Sequence, residues 1–250
     1  MFKKLKTDLE KLKNPEKAVV YQRFFKTGLG QYGEGDIFLG ISVPESRKIA
    51  IKYKDLPFSD ITKLLKSKIH EERLIALLLL VHNFTSSLRA PIKSGRSNLL
   101  SKQKKIYEFY LKHTKYINNW DLVDLSAPKI VGVYLMDPPL ADDSRKVLYD
   151  LAKSDNLWER RISIIATYQF IWKKKEYKDT FKIAEMLLED KHDLIQKAVG
   201  WMLREVGKRI SQNVEEQFLK EHYHKMGRTA LRYAIERFPE KLRKRYLEMK

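Results

Sequence analysis

From Pro44 onward, apolar side chains recur at helical spacing with hardly a break, and the pattern repeats itself. Leu157-Trp158-Glu159-Arg160-Arg161-Ile162 lines up with Leu194-Ile195-Gln196-Lys197-Ala198-Val199 at a shift of 37 residues, and Glu72-Arg73-Leu74-Ile75-Ala76 fits the same frame upstream. Each segment is a polar–basic pair followed by an apolar run near the start of a long helix. A period of roughly 40 residues with two helices per unit is the mark of an α-solenoid of HEAT-like repeats. An irregular helical bundle is the arrangement left open by a periodicity that is only partial.

The spacing predicts helices over 44–54, 58–68, 70–84, 101–113, 116–124, 127–136, 142–153, 156–173, 178–189, 192–207, 213–222, 225–238 and 239–248. Upstream, Phe2, Leu5, Leu9 and Leu12 share one stripe. Asn14-Pro15 has the chemistry of an N-cap followed by a first helical residue. No segment has the alternation of a strand. The expected architecture is all-α, a single domain over 1–250 with a concave groove lined by the second helices of the repeats. The polar stretch from Ser86 to Ser101 reads as a mobile loop.

Charge points to the partner. The 50 Lys and Arg against 32 Asp and Glu leave a formal net charge of +18, which suits a polyanion: DNA, RNA or an anionic membrane surface. Arg73, Arg160, Arg161, Lys197 and Arg204 would recur along the groove at repeat intervals and track a phosphate backbone. Cysteine is absent, which removes disulfides, thiolate nucleophiles and Cys-bound zinc. The first residues lack the apolar core of a secretory signal, and the longest apolar run, Leu74 to Val81, is far too short to span a bilayer. A cytoplasmic protein is expected.

Most catalytic motifs fail on context. Gly28-Leu29-Gly30-Gln31-Tyr32-Gly33 has the spacing of a dinucleotide fingerprint, but a helix precedes it where a strand is required. His70-Glu71 has no second histidine at metal-binding distance, so no metal site is expected. Asn118-Asn119-Trp120-Asp121-Leu122-Val123-Asp124 is more informative. Trp120 and Asp124, four apart, would share a helix face at about 40° of rotation, while Asp121 would point about 100° away. An acid beside a π-face, in so basic a chain, suits a cationic group next to a polyanion. Packing is the other reading of Trp120, and capping the other reading of Asp124, although Ser126, just ahead of Pro128, is the better placed cap.

These words resemble a family. Trp120-Asp121-Leu122-Val123-Asp124 resembles the W-D-x-V-D motif of the AlkD-like DNA alkylation repair glycosylases, which are HEAT-like α-solenoids. Phe38-Leu39-Gly40-Ile41-Ser42-Val43-Pro44-Glu45-Ser46-Arg47 is similar to their F-L-G-I-x-x-P-E-x-R segment, and Asp155-Asn156-Leu157-Trp158-Glu159-Arg160-Arg161 to their S-D-N-x-W-x-x-R stretch. Ile195 to Glu205 resembles their I-Q-K-A-x-G-W-x-L-R-E segment. The resemblance runs in order from about residue 14 to about 238.

It implies excision of cationic alkylpurines, such as 3-methyladenine and 7-methylguanine, from duplex DNA by a monofunctional glycosylase. Asp124 matches the catalytic aspartate, and Trp120 and Trp201 the tryptophans that face the lesion. Arg161 rather than Arg160 matches the cleft arginine, Arg204 is a candidate DNA-backbone contact, and Lys197 joins it as a DNA-binding residue from the groove pattern. No cofactor is implied, and a monomer is expected. Phe24 falls near a position where some members carry Tyr, and the glycine-rich stretch 28–35 is an insertion. A non-catalytic module binding DNA or RNA through the same groove is the alternative, and a protein-binding scaffold a weaker one.

Overall fold

The computed structural model describes residues 1–89, 96–136 and 145–249. Among them no strand forms, only one isolated parallel bridge between Ile37 and Ile69. The fold is all-α, and the chain packs as two compact units, Met1–Ser126 and Ala127–Lys250.

The first unit holds α1 (Phe2–Lys11), α2 (Pro15–Phe24), α3 (Val43–Lys52), α4 (Phe58–Leu65), α5 (His70–Arg89), α6 (Arg96–Lys112) and α7 (Trp120–Ala127), the last of which crosses into the second unit. The unbroken apolar run explains its centre. Leu74 to Val81 are all buried, because α5 packs against α3, α4 and α6 together. A helix apolar all round belongs in a core. Asn14 caps α2 as expected, its Oδ1 accepting the Lys17 N–H at 2.9 Å. Yet α2 buries no residue, and it leaves Phe24 61% exposed.

The segment Phe38–Ile41 is held by a buried carboxylate. Glu71 accepts the backbone N–H groups of Leu39, Gly40 and Ile41 at 2.8–3.2 Å. Successive N–H groups can converge on an anion only in a curled backbone. Gly40 supplies the curl at φ +80°, and a Cβ there would fall 2.1 Å from the Asn14 carbonyl. Ser42 and Glu45 then form a capping box that starts α3. This accounts for the F-L-G-I-x-x-P-E words as a structural device.

The second unit holds α8 (Val133–Met136), α9 (Lys146–Ala152), α10 (Leu157–Ala166), α11 (Lys178–Met186), α12 (Asp193–Arg209), α13 (Gln212–His222), α14 (Arg228–Ala234) and α15 (Glu240–Glu248). Helix α12 is its centre, packed on α10, α11, α13 and α14 through Ile195, Val199, Met202, Leu203 and Val206. The single helix expected over 156–173 is instead α10 followed by a π turn at Phe170–Lys174.

The repeat recurs in the structure, and between α10 and α12 its register is 36. The fourth residue of α5, α10 and α12 reaches back six positions to a carbonyl: Arg73 to Ser67 at 2.8 Å, Arg160 to Ser154 at 2.8 Å, and Gln196 to Asp190 at 3.2 Å. The repeated polar residue therefore ties each long helix to the turn before it. This corrects the groove reading of Arg73. It is buried, and it pairs with Asp36 at 2.6 Å, so it cannot meet a phosphate.

Two further expectations are corrected. Ser126 does not cap a new helix: it lies inside α7, its hydroxyl donating to the Leu122 carbonyl at 2.5 Å. The chain runs on through Pro128 as a π turn, Pro128–Gly132, because proline has no N–H to give the carbonyl four residues back. The expected mobile loop over 86–101 is largely helix, since α5 runs through Arg89 and α6 begins at Arg96. Positions 90–95 of that loop, and the first part of the helix expected over 142–153, lie outside the described residues.

Candidate functional site

Helix α7 begins at Trp120, whose N–H donates to Asn119 Oδ1 at 2.8 Å, so Trp120 and Asp124 stand one turn apart on a regular α-helix. Both are half-buried. The Trp120 indole stacks on Phe25 (centroids 5.4 Å, planes 21° apart) and meets Phe24 edge-on at 6.0 Å. Its Nε1–H donates to the Tyr32 hydroxyl at 3.2 Å. Beneath α7, the buried Tyr110 phenol shares a 2.9 Å hydrogen bond with Ser126. Burial pushes the Tyr110 phenol up; the Ser126 bond opposes this, and the Asp124 charge adds to it.

The motif's other carboxylate has a separate task. Asp121 Oδ2 accepts from His70 Nε2 at 2.8 Å, and Asp36 lies 3.4 Å from His70 Nδ1 while pairing with Arg73. Burial opposes charge on His70, but the carboxylates on its two ring nitrogens outweigh burial and raise its pKa to about 9. The imidazolium thus fastens α7 to α5.

A histidine whose folded pKa exceeds its unfolded value near 6.5 stabilises fully below about pH 6.5 and loses that contribution as pH rises through 9. The unfolding free energy from urea titrations should fall across this window, by roughly 2–3 kcal/mol. His70→Gln should flatten the fall. An unchanged pH profile in that variant would remove the assignment.

In the second unit, Arg161 is only 5% exposed and donates through Nη1 to the Leu194 carbonyl at the start of α12. Arg160 pairs with Asp190 at 2.7 Å. Lys197, Trp201 and Arg204 sit at i, i+4 and i+7 on α12 and so form one stripe. Lys197 pairs with Asp193 at 2.6 Å, and Arg204 with Glu236. Trp201 Nε1 donates to Glu205 at 3.4 Å; Glu205 also accepts from Arg209 at 2.5 Å, and Arg209 donates to the Tyr168 hydroxyl at 2.7 Å. Thus α7 carries Trp120 and Asp124, while α10 and α12 gather Arg161, Lys197, Trp201 and Arg204.

The residues that hold the two tryptophans escape sequence reading. Tyr32 and Phe25 reach Trp120 from about ninety positions away, and Tyr168 and Arg209 meet only through the fold. The spacing of Trp201, Glu205 and Arg209 at four-residue steps was the one available signal.

Beside Arg204 lies a buried acid. Burial raises the Glu215 pKa to about 9 against the opposing charge of Arg204. The unfolded carboxyl ionises near pH 4.5 while the folded one keeps its proton, so stability falls as pH rises between these values. Glu215→Gln copies the protonated form and should raise stability at pH 7.5 by roughly 1–3 kcal/mol in urea titrations. Destabilisation at that pH would contradict the assignment.

A cavity of about 360 Å³ in the first unit is walled by Val20, Phe24, Phe25 and Phe38, with His70 and Asp121 also lining it. Among the described residues no group of three or more His, Asp or Glu is placed to hold a metal ion, and no helix is long and apolar enough to cross a membrane.

The comparisons with known proteins agree with the resemblance seen in the motifs. No curated protein matches the chain. A solved structure described as a predicted DNA alkylation repair enzyme from Enterococcus faecalis is similar in fold, with a TM-score of 0.65 over 91% of this chain and 97% of that one. At 18% identity this likeness speaks for the fold alone. The family model of the DNA alkylation repair enzymes matches residues 5–238. The chain belongs to the DNA alkylation repair enzyme family.

Proposed function

We propose that this protein is a monofunctional DNA glycosylase that hydrolyses the N-glycosidic bond of cationic alkylated purines, such as 3-methyladenine and 7-methylguanine, in duplex DNA. The observation that carries the reading is the pair on α7. Trp120 and Asp124 share a helix face, while Asp121 is committed to His70.

The chemistry suits these groups. An N3- or N7-alkylated purine is already positive. When the bond from C1′ to the purine nitrogen breaks, the electron pair goes to the base, which leaves neutral. Positive charge develops on the deoxyribose. The Asp124 carboxylate stabilises that charge, water adds to C1′, and its proton passes to solvent or the carboxylate. No general acid, metal or cofactor is required, and the strand stays intact. The indoles of Trp120 and Trp201 attract the cationic nucleotide, a contact of about 0.5–2 kcal/mol.

Lys197 and Arg204 would hold the duplex backbone, while the buried Arg161 acts through the start of α12. Lys197 and Arg204 flank Trp201. The acidic partners of Lys197 and Arg204 do not forbid phosphate contact. Exposed ion pairs contribute only about 0–1 kcal/mol, and a phosphate can take an acid's place. Binding to DNA would therefore weaken with salt. The protein is taken as a cytoplasmic monomer.

The test is incubation with methylated duplex DNA and chromatography of the released material. Free 7-methylguanine and 3-methyladenine are expected; binding without release would favour a non-catalytic DNA-binding module.

A further inference from the structure

No part of the proposed chemistry uses the Gly28–Gly35 stretch. It is nevertheless an ordered turn system. Gln31 N–H donates to the Gly28 carbonyl at 3.1 Å, and Gly28 N–H to Gln31 Oε1 at 3.0 Å. Gly30 N–H donates to Glu34 at 2.8 Å, and Asp36 N–H returns to the Gly33 carbonyl at 3.1 Å.

The loop meets the Trp120 indole and the backbone of its stacking neighbour Phe25. Tyr32 places its hydroxyl on the indole Nε1–H at 3.2 Å. Gly33 lies so close to Phe25 that a Cβ would fall 2.5 Å from the Phe25 carbonyl, and Phe25 is the ring on which Trp120 stacks. Phe24, edge-on to the same indole, has no hydroxyl to offer. A tryptophan held only by ring contacts can still swing about its two side-chain torsions. A hydrogen bond at Nε1 fixes that rotation.

We propose that the Gly28–Gly35 loop is a positioning element for Trp120, with Tyr32 the positioning residue that sets the angle of the indole toward a bound nucleotide. This rests on the reading that Trp120 faces the lesion.

The test has an arm that needs no activity. In full-length protein labelled with 15N-tryptophan, the Trp120 indole N–H is identified by its loss in Trp120→Phe. In Tyr32→Phe that resonance should shift and its exchange with water should quicken roughly five-fold, as expected for loss of one neutral hydrogen bond. The other three indoles should stay in place. Gly33→Ala, which must displace the loop from Phe25, should move the same resonance. An unmoved Trp120 indole in Tyr32→Phe overturns the proposal.

The second arm is single-turnover release of 7-methylguanine. Tyr32→Phe should slow it by roughly three- to ten-fold in the wild type and leave it unchanged in Trp120→Phe. Equal slowing in both backgrounds overturns a role through Trp120. If the wild type releases no base, the glycosylase reading fails, and the resonance arm still decides whether the loop positions the indole.

Discussion

Asp124→Asn is expected to abolish base release while the duplex stays bound. The amide keeps the size and shape of the side chain, so the α7 packing of Leu122, Val123 and Ser126 survives. What disappears is the negative charge opposite a developing sugar cation. Removing one such electrostatic contact lowers rates by about 10²–10³ in enzymes that stabilise charge with fixed groups. Single-turnover release of 7-methylguanine measures the loss, and gel-shift titration at fixed salt measures the retained binding. Asp121→Asn should behave in the opposite way. It strips His70 of its nearer carboxylate, lowering stability more than the chemical step. Full activity in Asp124→Asn would move the site elsewhere.

The largest effect on stability is expected at Glu71. Its carboxylate is buried and gathers three consecutive backbone N–H groups. Glu71→Ala leaves these donors in a dry interior with no acceptor. Leaving a buried charge network without one partner costs about 3–5 kcal/mol. The consequence reaches the site. The Leu39 carbonyl accepts the Asn14 N–H at 2.9 Å at the start of α2, and Phe38 stacks on Phe25 at 5.0 Å. Loss of the Glu71 anchor should therefore loosen the ring that supports Trp120. Urea unfolding checks the magnitude; a change below about 1 kcal/mol would show that water replaces the carboxylate.

How far the sequence reveals this molecule depends on the range of each interaction. Helix period and local caps act over a few residues, so the all-α architecture, the Asn14-Pro15 start and the shared face of Trp120 and Asp124 were legible. Ser126-Ala127-Pro128 misled, because a cap signal is only a local preference. The buried Tyr110 phenol and the tight run-on into a π turn place Ser126 inside α7 instead. Arg73 looked like a groove cation because its partner Asp36 lies in a distant loop. The structural tasks of His70 and Glu71 are invisible in spacing: one side chain answers Asp121, the other a curled backbone 30 residues upstream. Of the proposed site, the candidate residues could be named from motifs. The residues that hold them, Tyr32, Phe25, Tyr168 and Arg209, could not, since each meets its tryptophan or its partner across long stretches of chain.

Cleavage of the glycosidic bond is the chemistry proposed for this family member. The most direct measurement is chromatography of the bases released from N-methylated duplex DNA by the wild-type protein. Free 7-methylguanine and 3-methyladenine are expected, with abasic sites left in uncut strands. DNA that is bound yet keeps its methylated bases would contradict that proposal.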